Sequence, residues 1–354
     1  MKADVENKCL LALVIANWNG REKLETCLKA LSMQSFQDFR IFLVDNGSHD
    51  GSAAFVRENF PEVKLITLDS NHGFADPNNR AIRLALEDPN VHSILTLNND
   101  TSVAPDFLEE LIACAERHPE ASVIQPKIIN YYDQDVLDST GMLIARGMSA
   151  VNRGLGEKDT GQFDQEEEIF GAAASAALFK RDALEKVALR NDDGSSDYFD
   201  SDYFAYHEDV DLAWRLRLAG YKAVYTPKAK VLHVHSMTGG SASPFKAHQV
   251  HRNHYFNLIK NVPGRFLLRA LVQMVGVYWA SLVEVKQGQG AAAQLKESAR
   301  ENSQSMVSIV LRGWIDVLRN LPRMWRKRKQ VQAIRTVTNQ DIESWLSRFG
   351  DKAS

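Results

Sequence analysis

The chain has 354 residues, 44% hydrophobic and 25% charged, an ordinary globular make-up with room for one large or two modest domains. A formal net charge of -3 and a pI near 6.4 remove nucleic acid from the expected partners. Cys9, Cys27 and Cys114 lack metal-site spacing and read as buried free thiols of a reducing compartment, and the mixed-charge stretch Met1–Lys8 is unlike a signal peptide, so a cytoplasmic location is expected.

Leu10–Ala16 is a short, continuous apolar run, as in a strand buried on both faces. Arg21–Met33 follows with Leu24, Cys27, Leu28 and Leu31 at helical spacing. Strands are then expected at Arg40–Val44, Val63–Leu68 and Ser93–Leu97, with helices at Ala53–Asn59 and Asn78–Leu86 between them. Repeated βα units predict an α/β fold with a mainly parallel sheet flanked by helices. Pro105 is expected to open the next helix, with Thr101 or Ser102 as its cap.

Residues 131–168 are rich in Asp, Gly, Glu and Gln and read as irregular and mostly at the surface. Ile169–Phe179 is Ala-rich, which favours helix, although its position before Lys180-Arg-Asp182 leaves a strand equally open. Next come an acidic loop, Asp192–Asp202, a polar junction at His207–Asp211 that starts a helix, and two strands near Ala223–Tyr225 and Val231–His235. Beyond Pro244 the pattern is helical, giving a division into 1–243, with halves meeting near 130, and 244–354.

Within that last region, Phe266–Val283 is apolar but contains Arg269 and Gln273. It is marginal for a bilayer span, which takes ~20 mostly apolar residues, and reads as a buried or interfacial helix. Ser308–Arg335 sets Trp314, Val317, Leu318, Leu321 and Trp325 against Arg312, Arg319, Arg323 and Arg326-Lys-Arg-Lys329. Such a basic amphipathic stretch either lies on an anionic membrane surface or packs on the rest of the chain or on a second copy.

Candidate chemistry gathers at the ends of the expected strands, where open α/β sheets bind ligands. The first strand ends in Asn17-Trp-Asn-Gly20, the second in Asp45-Asn-Gly-Ser-His-Asp-Gly51, the third in Asn71-His-Gly-Phe-Ala75 and the fourth in Asn98-Asn-Asp100. Asp45 can accept hydrogen bonds from a pyrimidine NH or a ribose hydroxyl, and Gly73 lets backbone approach a ligand. Asp100 is a hard oxygen ligand suited to a divalent cation that holds a diphosphate. No Gly-x-Gly-x-x-Gly or Walker-type motif is present, so a phosphate here depends on a metal at Asp100.

In the second half, Asp209 and Asp211 lie about 200° apart around a helix. Asp209 falls on the face of Leu212, Ala213 and Leu216, whereas Asp211 pairs with Arg215 in a structural role. At a helix start Asp209 is either an N-terminal cap or a general base. His233 and His235 point the same way along a strand, as metal ligands or as core histidines.

These motifs together resemble the family 2 glycosyltransferases, inverting enzymes of the GT-A fold, and most closely the bacterial rhamnosyltransferase branch. The matching residues are Val14-Ile-Ala-Asn-Trp-Asn19, Asp45–Gly51, Asn71–Ala75 with Asn79, Leu97–Thr101, Gly171-Ala172, Glu208–Leu212 with Arg215 and Gly220, and Pro227–His233. The resemblance implies a GT-A, Rossmann-like mixed sheet followed by an α-helical C-terminal region. It implies that Asn17, Asn19, Asp45, Asn71, Gly73, Phe74, Asn79, Asn98 and Asn99 bind a nucleotide sugar, dTDP-rhamnose first and a UDP-sugar second. It further implies that Asp100, with His233, holds Mg²⁺ or Mn²⁺, and that Asp209 is the catalytic base. Gly171, Ala172, Tyr206 and Glu208 then face a glycan or lipid-linked saccharide acceptor. Asn98 replaces the first aspartate of the family's metal motif, Ala81 stands where many relatives have glycine, and Pro77 is unusual. Peripheral association with the inner membrane face and a homo-oligomer are the remaining expectations; a non-catalytic scaffold is the competing class. A nucleotidyltransferase lacks support, because Asn17–Arg21 offers only Gly20.

Overall fold

The computed structural model describes residues 10–234, 243–287, 290–302 and 304–350; Cys9 and His235 lie outside them. β1 (Leu10–Asn17), α1 (Arg21–Ser32), β2 (Phe39–Asp45), α2 (Ser52–Asn59), β3 (Lys64–Thr67), α3 (Ala75–Ala85) and β4 (Val91–Leu97) alternate as the periodicity predicts. The four strands run parallel in the order β4-β1-β2-β3, and Asn17 lies opposite Asp45 in the β1–β2 register. That register brings the polar strand ends to one edge of the sheet.

After β4 the chain makes β5 (Thr101–Val103) before α4 (Phe107–Arg117), so the helix starts after Asp106 and not at Pro105. Thr101 and Ser102 are strand residues, paired with His233 and Leu232, rather than caps. β6 (Ala121–Asn130) is followed by β7 (Leu137–Ser139), β8 (Met142–Ile144), β9 (Ala150–Asn152) and β10 (Glu167–Ile169). The segment 131–168 is therefore less irregular than its composition suggests, and Leu137–Thr140 is buried. β11 (Ala176–Lys180) makes the Ala-rich stretch a strand, antiparallel to both β4 and β6. Its small residues suit a position between two strands and two packed faces.

α5 (Arg181–Val187), β12 (Leu189–Arg190), β13 (Ser196–Asp197), α6 (Glu208–Leu218) and β14 (Lys222–His233) complete the ten-stranded mixed sheet and its cover. The two strands expected near residues 223 and 231 are one strand, β14, broken by a register shift between Thr226 and Lys230. The order β10-β14-β6-β11-β4-β1-β2-β3, with β5 on β14, puts His233 next to the end of β4.

Alternate residues of β1 enter two cores, Leu11, Leu13 and Ile15 on one face and Leu10, Ala12 and Val14 on the other. The remaining helices are α7 (Pro244–Asn261), α8 (Gly264–Gln287), α9 (Gly290–Glu301), α10 (Met306–Ala333) and α11 (Asn339–Arg348). Tyr255, Phe256, Val317, Val331, Ile342 and Phe349 from these helices and the residues after them belong to the same core as Leu11.

Two expectations for this region change. The Phe266–Val283 stretch lies in α8, whose most apolar window is only 12% buried, which removes the buried reading and leaves the interfacial one; by length and composition alone α8 is also long and apolar enough to cross a membrane. The cluster Arg326-Lys-Arg-Lys329 is largely occupied inside the molecule. Arg326 pairs with Asp192, Lys327 is buried against Asp200 and Asp202, and Arg328 donates to the carbonyls of Ile259 and Val262.

Candidate active site

The end of the parallel sheet is a hydrogen-bonded polar crevice. Asn17 is buried and its amide donates to Asp45 Oδ1 at 3.2 Å and to the Ser48 hydroxyl at 3.3 Å. Asn17 Oδ1 accepts from Asn99 Nδ2 at 2.6 Å. Asn99 approaches so closely because Gly20 has no Cβ; one placed there would sit 2.3 Å from Asn99 Nδ2. The other oxygen of Asp45 accepts from the Ser48 amide at 3.2 Å. Asn19 takes a positive φ of 49° and caps the His49 amide at 2.8 Å. A buried carboxylate is thus aimed by neutral donors, a setting that keeps it available to a polar ligand.

Beside this crevice, Asp138, His233 and Asp100 form a chain. Asp138 Oδ2 is 2.6 Å from His233 Nδ1, which leaves Nε2 facing Asn98 Nδ2 at 3.2 Å and Asp100 Oδ1 at 3.3 Å. Burial alone depresses the imidazole, but the Asp100 and Asp138 carboxylates outweigh it and hold His233 at about 9; His233 in turn helps keep Asp100 below the usual carboxylate range despite its burial. Asp100 Oδ1 is buried without a well-directed hydrogen bond. Asp100 Oδ1, 3.3 Å from an imidazole nitrogen whose other nitrogen is fixed by a carboxylate, would fit a divalent cation that displaces the imidazole proton between them. Cys114, His118 and Glu166 make another potential cluster elsewhere, but Glu166 is taken by Arg117, His118 and Thr226, and burial pushes the Cys114 thiol up to about 12.

Asp209 stands in the first turn of α6. Its Oδ2 is 3.5 Å from the Ala174 amide, while the Ser175 carbonyl accepts from the Asn98 amide at 2.8 Å. Two adjacent residues of one turn therefore link the end of β4 to Asp209. Burial raises the Asp209 carboxyl above its ordinary value, and burial with the Asp209 charge raises its neighbour Glu208 further. Two adjacent buried carboxyls therefore disfavour each other's charge, with Glu208 raised the more strongly of the two.

The loop before α6 is strained. Phe204, Tyr206 and His207 all have positive φ, between 61° and 69°. Such conformations persist only where surroundings enforce them. Here Asn253 of α7 places Nδ2 within 3.0 Å of three carbonyls, those of Tyr203, Ala205 and Tyr206, and Arg252 reaches the carbonyls of Asp202 and Tyr203. The Phe204 carbonyl accepts from the amides of Phe74 at 2.6 Å and Ala75 at 3.2 Å. Gly73, at φ +81°, has no space for a Cβ, which would lie 2.3 Å from that oxygen.

The sequence-predicted residues divide by location. Asn17, Asn19, Asp45, Asn98, Asn99, Asp100 and His233 cluster at the sheet end. Asn71 and Gly73 form the adjoining turn, where Asn71 Oδ1 accepts from Asn46 and from the Gly73 amide, and Phe74 packs edge-on against Phe199. Asn79 is fully buried and its amide is spent on residues 198–201, at 2.6–3.1 Å, so it braces the segment leading towards α6 instead of facing the crevice. Gly171 packs on Ala213 of α6 and Ala172 is buried next to it; Tyr206 is half-buried under Lys246, whose Nζ is 5.4 Å from the ring centre. Asp211 is even more buried than Asp209 and pairs with Arg215 at 2.9 Å, as its spacing predicts. Residue patterns missed Asp138, Asn46 and Asn253, whose partners are distant in the chain.

A mixed, mainly parallel sheet with a carboxylate at the end of β2, an Asp–His pair at the end of β4 and an acidic helix start across from them defines a GT-A glycosyltransferase. Residues 12–188 match the family described as Glycosyl transferase family 2. The chain is 31% identical over 275 residues to the N-acetylglucosaminyl-diphospho-decaprenol L-rhamnosyltransferase of Mycobacterium tuberculosis, spanning 72% of this chain and 86% of that one. It is 22% identical over 232 residues to the poly-beta-1,6-N-acetyl-D-glucosamine synthase of Staphylococcus epidermidis, across 62% and 48% of the two chains. The fold resembles the crystal structure of S. aureus TarS 1-349, with a TM-score of 0.50 at 15% identity over 94% and 91% of the chains. The protein belongs to glycosyl transferase family 2.

Proposed function

We propose that this enzyme transfers a sugar, rhamnose from dTDP-rhamnose in the first instance, to a hydroxyl of a lipid-linked or cell-surface glycan with inversion. The observation that supports the reading is the link from Asn98 through Ser175 and Ala174 to Asp209, which ties the first turn of α6 to the end of β4, two residues before Asp100. Asp45, Asn17 and Asn99 receive the pyrimidine nucleotide. Asp100 and His233 would hold a divalent cation, Mg²⁺ or Mn²⁺, which would supply charge neutralisation for a diphosphate leaving group. Asp209 accepts the acceptor hydroxyl's proton while that oxygen bonds to the anomeric carbon; the bond to the diphosphate oxygen breaks and its electron pair leaves with the nucleotide. One displacement inverts the centre and needs no second nucleophile. Glu208, buried beside Asp209, lies on the acceptor side in this reading.

The likeness to a rhamnosyltransferase acting on a diphospho-decaprenol supports both the donor and the lipid carrier. The exposed apolar face of α8 supports an enzyme held at the inner face of the membrane. A UDP-hexose or UDP-N-acetylhexosamine is the second donor, which the same pyrimidine pocket accommodates, and a homo-oligomer is the further expected assembly.

Calorimetric titration of nucleoside diphosphates and nucleotide sugars with and without Mg²⁺ or Mn²⁺ tests this reading. Metal-dependent binding of dTDP-rhamnose, lost in Asp100→Ala, is expected. UDP binding in its place keeps the chemistry and discards rhamnose, and absence of all nucleotide binding by folded protein overturns the enzyme reading. Asp209→Asn is expected to lower kcat by about 10²–10⁴-fold without weakening donor binding.

A further inference from the structure

A cleft of about 460 Å³ opens between the first turns of α7 and the middle of α10. Its lining combines two chemistries. Pro244, Phe245, Ile309 and Ile315 are apolar, whereas Arg312 and Arg319 are guanidinium groups seven residues apart on one helix face. Arg312 makes no ion pair among the described residues, and Arg319, exposed, pairs only at 4.0 Å with Asp316, the one carboxylate in the lining. Asp316 is engaged by His248 at 3.0 Å. Farther along the same helix Arg323 is committed to Asp202, Arg326 to Asp192 and Lys327 to Asp200. Arg312 is thus unpaired among the described residues, and the long exposed pair of Arg319 with Asp316 can be exchanged for a ligand anion.

The cleft adjoins the catalytic loop. The Phe245 ring meets Phe204 edge-on at 6.1 Å, and the next residue, Lys246, lies over Tyr206. Outward, the apolar lining continues along α10 through the exposed Leu311 and Leu318, and α8 exposes Leu268, Val272, Val275 and Trp279. Neutral hydrocarbon leaves the guanidinium groups unused, and inorganic phosphate leaves the apolar wall unused. A phosphate ester of a long hydrocarbon uses both, and the volume suits a head group with its first carbons.

We infer that this cleft seats the phosphate-bearing end of a lipid acceptor, with Arg312 and Arg319 on the phosphate and Phe245, Ile309 and Ile315 along the first carbons of the chain. The inference rests on the lipid-linked acceptor proposed above. It explains how a membrane-embedded substrate presents its sugar to Asp209: the anchor point is beside the loop that carries the base.

The test uses full-length protein, farnesyl diphosphate as probe and the change in tryptophan fluorescence as readout, since Trp314 lies on the same helix. Saturable binding is expected, weakened about tenfold or more in the Arg312→Gln/Arg319→Gln double variant, with inorganic diphosphate and farnesol each bound at least about tenfold more weakly. In turnover, the double variant is expected to raise KM for a lipid-linked acceptor while leaving donor hydrolysis by water unchanged. Equal binding of farnesyl diphosphate by wild type and double variant overturns the proposal. So does equal competition by inorganic diphosphate, which makes the cleft a free-phosphate site. Loss of phosphatidylglycerol-vesicle binding in the double variant without change in farnesyl diphosphate binding also overturns it, in favour of a membrane patch. Wild-type protein that binds the probe but processes no nucleotide sugar leaves the cleft standing and removes the glycosyl-transfer reading alone.

Discussion

Helices α7 and α8 follow one another in the chain and invert the ordinary relation between composition and burial. α7 carries Asn253, Asn257, Lys260 and Asn261, all with no solvent exposure. α8 is the apolar one, yet Leu268, Val272 and Trp279 are more than 60% exposed. What decides burial is the partner available. Lys260 meets Asp200 and Asp211, Asn261 donates to Asp211 at 2.7 Å, and Asn253 meets three carbonyls of a strained loop. Buried polar groups are tolerated when each finds its complement. The exposed side chains of α8 find no such complement among the described residues; the membrane surface proposed above would supply one.

The contrast can be broken hardest at Lys260. Lys260→Met leaves the fully buried Asp200 and Asp211 short of a cation and is expected to cost about 3–5 kcal/mol of stability, read as a lowered denaturant midpoint. Asn253→Ala comes next, at about 1–3 kcal/mol for carbonyls left unpaired. Because the freed loop leads into Asp209, kcat is expected to fall more than KM rises, and a variant with unchanged kcat removes the positioning role. A pH profile sharpens the same point. Burial raises the Asp209 carboxyl, the base works only when ionised, and so kcat/KM is expected to drop as pH falls through a value above the ordinary aspartate pKa, about 3.9. Asn253→Ala, which admits water to the loop, is expected to move that acid limb downward. The smallest effect on stability belongs to α8. Leu271→Ser with Val272→Ser is expected to change it by less than about 0.5 kcal/mol, while weakening sedimentation with anionic vesicles; unchanged vesicle binding argues against α8 as the lipid-facing surface.

Much of the first hundred residues is legible from residue order alone, because each βα unit is local. The runs at Leu10–Ala16 and Ser93–Leu97 end in Asn17 and Asn98, and parallel pairing brings those ends together. The rest depends on contacts distant in the chain. Asp138 lies in a segment whose composition suggests surface loop, and its role emerges only when β7 pairs with β6 and reaches His233. Asn79 looks like a ligand residue by its motif, yet it spends its amide on residues 120 positions away. The cluster 326–329 looks like a membrane-binding patch, but Lys327 is captured by Asp200 from a loop 127 residues earlier. The Ala-rich strand β11 defied helix propensity because two neighbouring strands supply its hydrogen bonds.

The carbonyl of Phe204 has a kinetic meaning. It receives two amides from the turn at Gly73 and belongs to the peptide segment five residues ahead of Asp209. Contact of a donor with the Asn71–Ala75 turn would therefore also fix the segment that leads into Asp209. The two substrates are thereby expected to bind in compulsory order, nucleotide sugar leading, and product-inhibition patterns in which the nucleotide diphosphate competes only with the donor would display that sequence.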